Sequence, residues 1–269
     1  MSGATRSPEG LADPAAVAGG AAVRSTAGAP SPDEAWRELL RAARAPYRSQ
    51  GRFAWHFAQG KLSRDPVFRT LLERGDIPPR ARLLDIGCGQ GLLASLLAAV
   101  DAAQVHARWP IGWQAPPIDV RYTGLELMPR DVARARGALE ALPCRPRFVC
   151  ADMVEAELPG SDVVVILDVL HYVPPAAQQV VLERVRDALR PHGRLLLRIG
   201  DRADRRGFLA SQWVDRLVTG IRGHRVPPTF CRPLPEWVAL LEGLGFRVHS
   251  LPMSRGTPFA NVLLVADLS

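Results

Sequence analysis

The stretch Arg82-Leu-Leu-Asp-Ile-Gly-Cys-Gly-Gln-Gly91 joins a short apolar run to three glycines at alternate positions. The apolar run predicts a buried strand over Arg82–Ile86, and the glycines let the backbone turn tightly after it. Residues 92–100 are apolar on every face, which is typical of a helix packed between a sheet and its neighbours. A glycine loop between a strand and a helix exposes backbone N–H groups at the helix N-terminus, where a ligand can approach closely.

Strand-like runs and helical patterns alternate through the rest of the chain. This alternation predicts right-handed crossovers and a parallel sheet covered by helices. The loop between the last two runs is too short for a parallel crossover, so these runs should form an antiparallel hairpin. We therefore predict an α/β fold with a doubly wound seven-stranded sheet and an antiparallel last strand. Strands are predicted at residues 82–86, 122–127, 147–151, 162–167, 193–199, 246–251 and 261–266, and further helices at 129–142, 175–190 and 236–244.

The chain ahead of this domain divides into two parts. Residues 1–30 are rich in Ala, Gly, Ser and Pro, and they predict a disordered tail. Ser31-Pro32-Asp33-Glu34 reads as a capping box with proline at the first helical position, so ordered structure should begin there. We predict an N-terminal helical cap over residues 31–79 and the main domain over 80–269, with a Trp- and Pro-rich insertion at 101–118.

Composition sets wide limits on the function. The 269 residues are 47% hydrophobic and 23% charged, which excludes a wholly disordered protein and allows one large domain or two small ones. No apolar run reaches the roughly 18 residues of a membrane-spanning helix, and no secretory signal opens the chain, so we expect a cytoplasmic protein. The four cysteines show no metal-ligand spacing, and free thiols without a metal are expected. The net charge of +7 does not by itself indicate a nucleic-acid partner.

Acidic side chains end or follow the next two strands of the predicted sheet. Glu126 ends the second strand, where a carboxylate can accept hydrogen bonds from both hydroxyls of a ribose. Asp152 and Met153 follow the third strand, where a carboxylate can accept from an adenine amino group and a thioether can pack on the ring. These residues predict an adenosyl ligand at the carboxyl edge of the sheet. A nicotinamide dinucleotide is the alternative, although the third glycine of that fingerprint is missing after Gly91.

On these residues the chain resembles the class I S-adenosylmethionine-dependent methyltransferases, over about residues 80–268. The segments that carry the resemblance are Leu83-Leu-Asp-Ile-Gly-Cys-Gly-Gln-Gly91, Tyr122-Thr-Gly-Leu-Glu-Leu-Met-Pro129, Cys150-Ala-Asp-Met153 and Ile166-Leu-Asp-Val-Leu-His-Tyr-Val-Pro174. The resemblance implies S-adenosylmethionine as the cofactor. Asp85 and the glycines would hold its methionine part, Glu126 its ribose, and Asp152 with Met153 its adenine. The cofactor-binding set so implied is Asp85, Gly87, Cys88, Gly89, Gly91, Glu126, Leu127, Asp152, Met153 and Asp168.

Two segments outside this core bear on the substrate. The aromatic lead-in Phe53-Ala-Trp-His-Phe57 and the closing hairpin loop are similar to those of bacterial methyltransferases from aryl-polyene and related polyketide-type pigment pathways. His56 and Lys61 predict a lid, since polar groups among aromatic residues need partners; helix packing is the alternative. Topology brings the hairpin loop to the carboxyl edge. The predicted substrate and lid residues are His56, Lys61, Tyr172, Thr257, Phe259 and Asn261.

Asp168 and His171 are the candidate catalytic residues. Asp168 ends the fourth strand, beside the expected position of the transferring methyl group, and His171 could remove a proton from an acceptor hydroxyl. A histidine that only hydrogen-bonds a loop carbonyl, with catalysis by alignment of the reactants, is an equal alternative. The Asn/Asp-Pro-Pro-Tyr sequence of amine methyltransferases is absent at this place, which favours methylation of oxygen.

We therefore predict methyl transfer to a small-molecule acceptor. RNA or protein methylation and a non-catalytic adenosyl-binding role are the alternatives. Arg205-Arg206 and residues 221–225 form a basic stretch that would suit an acidic carrier protein or a carboxylated substrate, although a solvated surface is the simpler interpretation. No nucleic-acid partner is expected, and the sequence leaves the oligomeric state open.

Overall fold

The computed structural model describes residues 30–105, 109–200, 230–254 and 261–268. The predicted tail up to residue 29, the basic stretch and the residues Thr257 and Phe259 lie outside the described residues. In the described ranges, no helix is both long and apolar enough to cross a membrane. The helices are α1 (Pro32–Arg44), α2 (Arg52–Arg64), α3 (Pro66–Arg74), α4 (Leu92–Val105), α5 (Pro129–Leu139), α6 (Pro175–Ala188) and α7 (Leu234–Gly243). The strands are β1 (Arg82–Ile86), β2 (Arg121–Glu126), β3 (Arg147–Cys150), β4 (Ser161–Leu167), β5 (Leu189–Gly200), β6 (Phe246–Pro252) and β7 (Asn261–Leu268).

One sheet contains all seven strands in the order β3-β2-β1-β4-β5-β7-β6. Strands β1 to β5 are parallel, whereas β7 runs antiparallel to both β5 and β6. The chain leaves β1 towards β2 and β3, and then returns to the other side of β1 as β4. Connections diverge at this point, which is where open α/β sheets bind ligands at their carboxyl edge. The predicted α/β fold with its antiparallel last strand is confirmed.

Several element bounds differ from the sequence prediction, and α5, for example, ends at Leu139 rather than at residue 142. α4 continues to Val105, five residues into the predicted insertion, because the chain stays rich in alanine there. α6 ends at Ala188, and β5 begins at Leu189 with a register shift opposite Ser161 and Val163. Pro191 disfavours helix at the residue before it and explains the early end of α6.

Helices α1 to α3 lie on the same face of the sheet as α4 and α5, in a shared core that includes Leu39, Tyr47, Leu62, Leu96 and Val163. α1 begins at the predicted capping box. Within it, the N–H of Glu34 donates to Ser31 Oγ at 3.4 Å, and the N–H of Ser31 donates to Glu34 Oε2 at 3.1 Å. The division of the chain at residue 80 stays a prediction.

The predicted insertion packs beside α3. The Trp109 and Trp113 rings meet edge to face at 5.2 Å, and the Arg69 guanidinium lies 5.9 Å from the Trp113 ring centre. The N–H of Gln114 donates to the Glu73 carbonyl at 3.2 Å. This segment joins the C-terminus of α4 to the start of β2, which is the amino edge of the sheet. It therefore lies at the opposite edge from the glycine loop.

Candidate functional site

The glycine loop is held against the carboxyl end of β2. The N–H groups of Gly87 and Cys88 donate to the Leu125 carbonyl at 2.7 and 3.1 Å. Gly87 and Gly89 have φ values of 75° and 56°, which favour glycine. A Cβ on Gly87 would lie 2.5 Å from the Val169 side chain, whereas one on Gly89 would meet nothing within 4 Å. The loop thus packs tightly against the segment after β4 and leaves open space at Gly89.

One helix contact supports the loop from the other side. Tyr47, in the 3-10 turn that follows α1, is completely buried and donates its hydroxyl to the Gln90 carbonyl at 2.8 Å. The sequence prediction did not include this residue. The cap helices therefore reach the glycine loop itself.

The Glu126 carboxylate lies at the end of β2 beside the glycine loop. The Gly89 N–H donates to its Oε2 at 2.9 Å, and the Met128 N–H donates to its Oε1 at 2.8 Å. These two bonds fix the orientation of the carboxylate and leave each oxygen further acceptor capacity. Burial raises the pKa of Glu126 above its usual value, although the N–H bonds oppose part of that rise. The next residue, Leu127, is 57% exposed.

Asp152 and Met153 lie next to Glu126 along the carboxyl edge. The N–H of Ala151, just after β3, donates to the Glu126 carbonyl at 3.0 Å. Asp152 Oδ1 accepts from the Val154 N–H at 2.8 Å, so the carboxylate opens a tight turn. Both Asp152 and Met153 are half-buried. The structure therefore places the glycine loop, Glu126 and this pair on three adjacent strand ends.

Asp85 is buried beneath the glycine loop, at 4% exposure. The Tyr122 hydroxyl donates to its Oδ2 at 2.5 Å. Burial is the main influence on this group, and it raises the pKa of Asp85 to about 7. The carboxyl group is therefore partly protonated at neutral pH.

Four charged residues form one cluster where α2 and α3 meet the ends of β4 and β5. Arg198 of β5 is 1% exposed and donates to both Asp65 and Asp168, with Nε to Asp168 Oδ1 at 2.7 Å and Nη2 to Asp65 Oδ2 at 2.8 Å. Its Nη1 also pairs with Asp65 and its Nη2 with Asp168. Lys61 Nζ lies 2.8 Å from Asp65 and 3.2 Å from Asp168. Two cations thus balance two anions, and we call these four residues the ionic cluster.

The ionic cluster keeps the Asp168 carboxyl group ionised. Burial alone would raise the pKa of Asp168, but the charges of Arg198 and Lys61 outweigh it and hold that pKa well below its usual range. Asp168 also has a φ of 61°, an uncommon value for a residue other than glycine. Its carboxylate is therefore ionised near neutral pH and paired with two cations, which makes it a weak base.

His171 follows Asp168 in the 3-10 turn Leu170–Tyr172. Its ring lies 4.2 Å from the Tyr172 ring, and its carbonyl accepts from the Phe230 N–H at 2.8 Å. His171 also lies close to residues of β5 and α7, including Gly200 and Trp237. Burial lowers the pKa of His171 below 6.5, although Asp168 opposes the shift. The imidazole is therefore largely neutral at pH 7.

The remaining predicted residues lie in different surroundings. His56 is exposed on α2, with its ring 4.8 Å from the Trp55 ring. Asn261 begins β7, and its carbonyl accepts from the Met253 N–H at 2.7 Å. Lys61 belongs to the ionic cluster. The sequence prediction missed two members of that cluster, Asp65 and Arg198.

The sheet order, the glycine loop and the carboxylate after β2 define a class I S-adenosylmethionine-dependent methyltransferase fold. Residues 54–251 match the family described as a methyltransferase domain. Because that match covers most of the chain, the protein belongs to this family, and S-adenosylmethionine is its cofactor.

Individual relatives are more distant. The chain is 29% identical over 119 residues to a carboxy-S-adenosyl-L-methionine synthase from Hydrogenovibrio crunogenus, a match covering 44% of this chain and 42% of the relative. It is 28% identical over 188 residues to a ubiquinone biosynthesis O-methyltransferase from Xylella fastidiosa, with 67% of each chain covered. An O-methyltransferase family protein from Burkholderia thailandensis has a TM-score of 0.56 at 20% identity, over 89% of this chain and 63% of that one. The chain thus spans less than half the length of the first of these relatives, and the last comparison shows the fold alone.

The residues at the carboxyl edge fit this cofactor. Gly89 leaves open space in front of the loop, and a Cβ there would project into it. Glu126 keeps acceptor capacity for ribose hydroxyls, and Asp85 is a buried carboxyl group that a cationic amino group would stabilise in its ionised form. When bound, the cofactor supplies a methyl group on a sulfonium centre.

Binding of S-adenosylhomocysteine should release up to one proton from the protein near pH 7. The pKa of Asp85 is raised to about 7, and the ammonium group of the methionine part would lower it. The free protein therefore holds a proton that the complex does not. Titration calorimetry at pH 7 in buffers of different ionisation enthalpy measures this release, which should fade above pH 8. Asp85→Asn should release none; an equal release from that variant would contradict the assignment.

Glu126→Ala should weaken S-adenosylhomocysteine binding by about 10- to 100-fold, since hydrogen bonds to a charged group are lost. The melting temperature should hardly change, because water can reach the half-buried Gly89 N–H. Titration calorimetry gives the affinity, and Glu140→Ala, at an exposed position just after α5, is the matched control. An unchanged affinity in Glu126→Ala would disprove the ribose assignment.

Proposed function

We propose that the protein transfers the methyl group of S-adenosylmethionine to an oxygen atom of a small-molecule acceptor. The observation that carries the proposal is His171. It is a half-buried imidazole in the turn after β4, three residues beyond the engaged carboxylate of Asp168. The proton of an acceptor hydroxyl needs a base as the methyl group arrives, and a neutral imidazole can take it.

The division of labour between Asp168 and His171 follows from their charges. Asp168 is ionised and bound by Arg198 and Lys61, so it would orient the segment after β4. His171 has its pKa lowered by burial and so can accept a proton at pH 7. Val169, between them, packs against Gly87 of the glycine loop, and this contact would bring the base segment to the cofactor.

Two features support a small acceptor bearing oxygen. The sequence after β4 is Leu167-Asp-Val-Leu-His-Tyr172 and lacks the Asn/Asp-Pro-Pro-Tyr of amine methyltransferases. A relative that is aligned over two thirds of its length is a ubiquinone biosynthesis O-methyltransferase. A pigment-pathway acceptor, an acidic carrier protein and the substrate roles of His56, Lys61, Tyr172 and Asn261 stay predictions.

A paired acceptor screen tests the proposal. Protein and methyl-labelled S-adenosylmethionine are incubated with hydroxylated aromatic compounds and, in parallel, with amines of the same carbon skeletons. Label should pass to members of the hydroxyl series. Transfer only to the amine series, or only to RNA or protein in a third arm, would contradict it.

A further inference from the structure

The connection from β3 to β4 contains a single helical turn in place of a crossover helix. Residues 151–160 cross from the carboxyl edge to the amino edge. The N–H groups of Glu155 and Ala156 donate to the Asp152 carbonyl at 3.2 and 2.8 Å, and the chain then leaves the helical path. A turn that ends so soon leaves its own carbonyl groups without the N–H donors of a following turn.

One arginine supplies those donors. Arg184, on α6, donates from Nη1 to the Met153 carbonyl at 3.2 Å and from Nη2 to the Glu155 carbonyl at 3.5 Å. The same two nitrogens also donate to the carbonyls of Val154 and Ala156. Across the described ranges, Arg184 forms no ion pair. Its guanidinium group thus binds the carbonyl groups of this one turn.

The helix that carries Arg184 is a firm support. Val181 and Val185 of α6 are completely buried in the core on the face of the sheet opposite α1 to α5. A guanidinium fork presents several donors in a fixed plane, so it can hold several carbonyl groups in one arrangement. Because α6 is anchored, the turn it contacts is anchored too.

We propose that Arg184 is a positioning residue that holds residues 152–156 in the arrangement that binds adenine. The inference rests on the proposed roles of Asp152 and Met153. With the turn fixed, the Asp152 carboxylate meets the adenine amino group and Met153 meets the ring without a further ordering cost on binding. Without Arg184, the turn would have to become ordered each time the cofactor binds. The entropy lost in that step would weaken recognition of the adenine base specifically.

The test compares two ligands that differ in the base. S-adenosylhomocysteine carries adenine, and S-inosylhomocysteine replaces the amino group with an oxygen. Titration calorimetry on the full chain measures both affinities for the parent protein, Arg184→Met and Arg184→Lys. Arg184→Met should bind S-adenosylhomocysteine about tenfold more weakly, the loss expected for hydrogen bonds from a charged donor, and the preference for adenine should fall with it. Arg184→Lys should have an affinity for S-adenosylhomocysteine between those of the parent protein and Arg184→Met. It provides a second measurement if Arg184→Met folds poorly.

Two further variants separate the explanations. Arg186→Met, on the same helix beside Asp187, should behave as the parent protein does. Asp152→Asn should also lose the preference for adenine; if it does not, the adenine assignment and the proposal both fail. Equal weakening of both ligands by Arg184→Met, or no weakening, would overturn the proposal and leave the cofactor assignment standing. If the parent protein binds neither ligand, the proposed function fails as well.

Discussion

Arg198→Met should lower the free energy of unfolding by about 3–5 kcal/mol at pH 7, the usual effect of removing one partner from a buried ion pair. Arg198 is 1% exposed, and its loss would leave Lys61 as the one cation paired with Asp65 and Asp168 among the residues that the structure describes. Chemical denaturation followed by circular dichroism measures the difference. Arg186→Met, which breaks an exposed pair with Asp187, is the control and should cost less than about 1 kcal/mol.

The pH dependence of that difference provides a second check. In the folded protein, the pKa values of Asp65 and Asp168 lie below their usual range because the cations outweigh burial. A lowered pKa contributes stability that is present above the unfolded value, near 4, and is lost as the pH falls through the folded value. The difference in the free energy of unfolding between the parent protein and Arg198→Met should therefore become smaller below about pH 4. A difference that is small at pH 7, or constant down to pH 3, would contradict the role of the ionic cluster.

His171→Ala should lower turnover of a hydroxyl acceptor by about 10²- to 10⁴-fold, the usual range for loss of a general base. The affinity for S-adenosylhomocysteine should stay near that of the parent protein, since His171 lies outside the predicted cofactor set. Single-turnover methyl transfer with an acceptor from the paired screen gives the rate, and calorimetry gives the affinity.

His171→Asn separates a base from a structural hydrogen bond, because an amide keeps hydrogen-bonding capacity but cannot take the proton. This variant should be as slow as His171→Ala. For the parent protein, turnover should fall only as the pH drops through the pKa of His171, which burial holds below 6.5. Turnover that survives in either variant would leave alignment of the reactants as the source of catalysis.

The fold was predictable because its signals are local. Strand Arg82–Ile86, the glycines after it and the capping box at Ser31 each depend on residues within a few positions of one another. The order of acidic residues after the strands placed Glu126 and Asp152 at the carboxyl edge. The connection at 151–160 carried no helical pattern, and the structure has no α-helix there.

The support of the site was less predictable because its contacts join distant parts of the chain. Arg198 pairs with Asp65 across 133 positions, and Arg184 binds a turn about 30 positions away. One signal was available: the run Leu195-Leu-Leu-Arg-Ile199 places a single charge in a buried strand, and such a charge requires a partner. The partner, Asp65, could be identified only from the packing of α2 and α3 on the sheet. The same packing gave Lys61 two carboxylate partners, while His56 lies exposed.

The most direct test of the central claim is a pair of calorimetric titrations of the purified protein, one with S-adenosylhomocysteine and one with NADH. We expect saturable binding of S-adenosylhomocysteine at one site per chain and no heat of binding with NADH. Binding of NADH, or silence with both ligands, would contradict that claim, because the glycine loop and Glu126 would then not form an S-adenosylmethionine site.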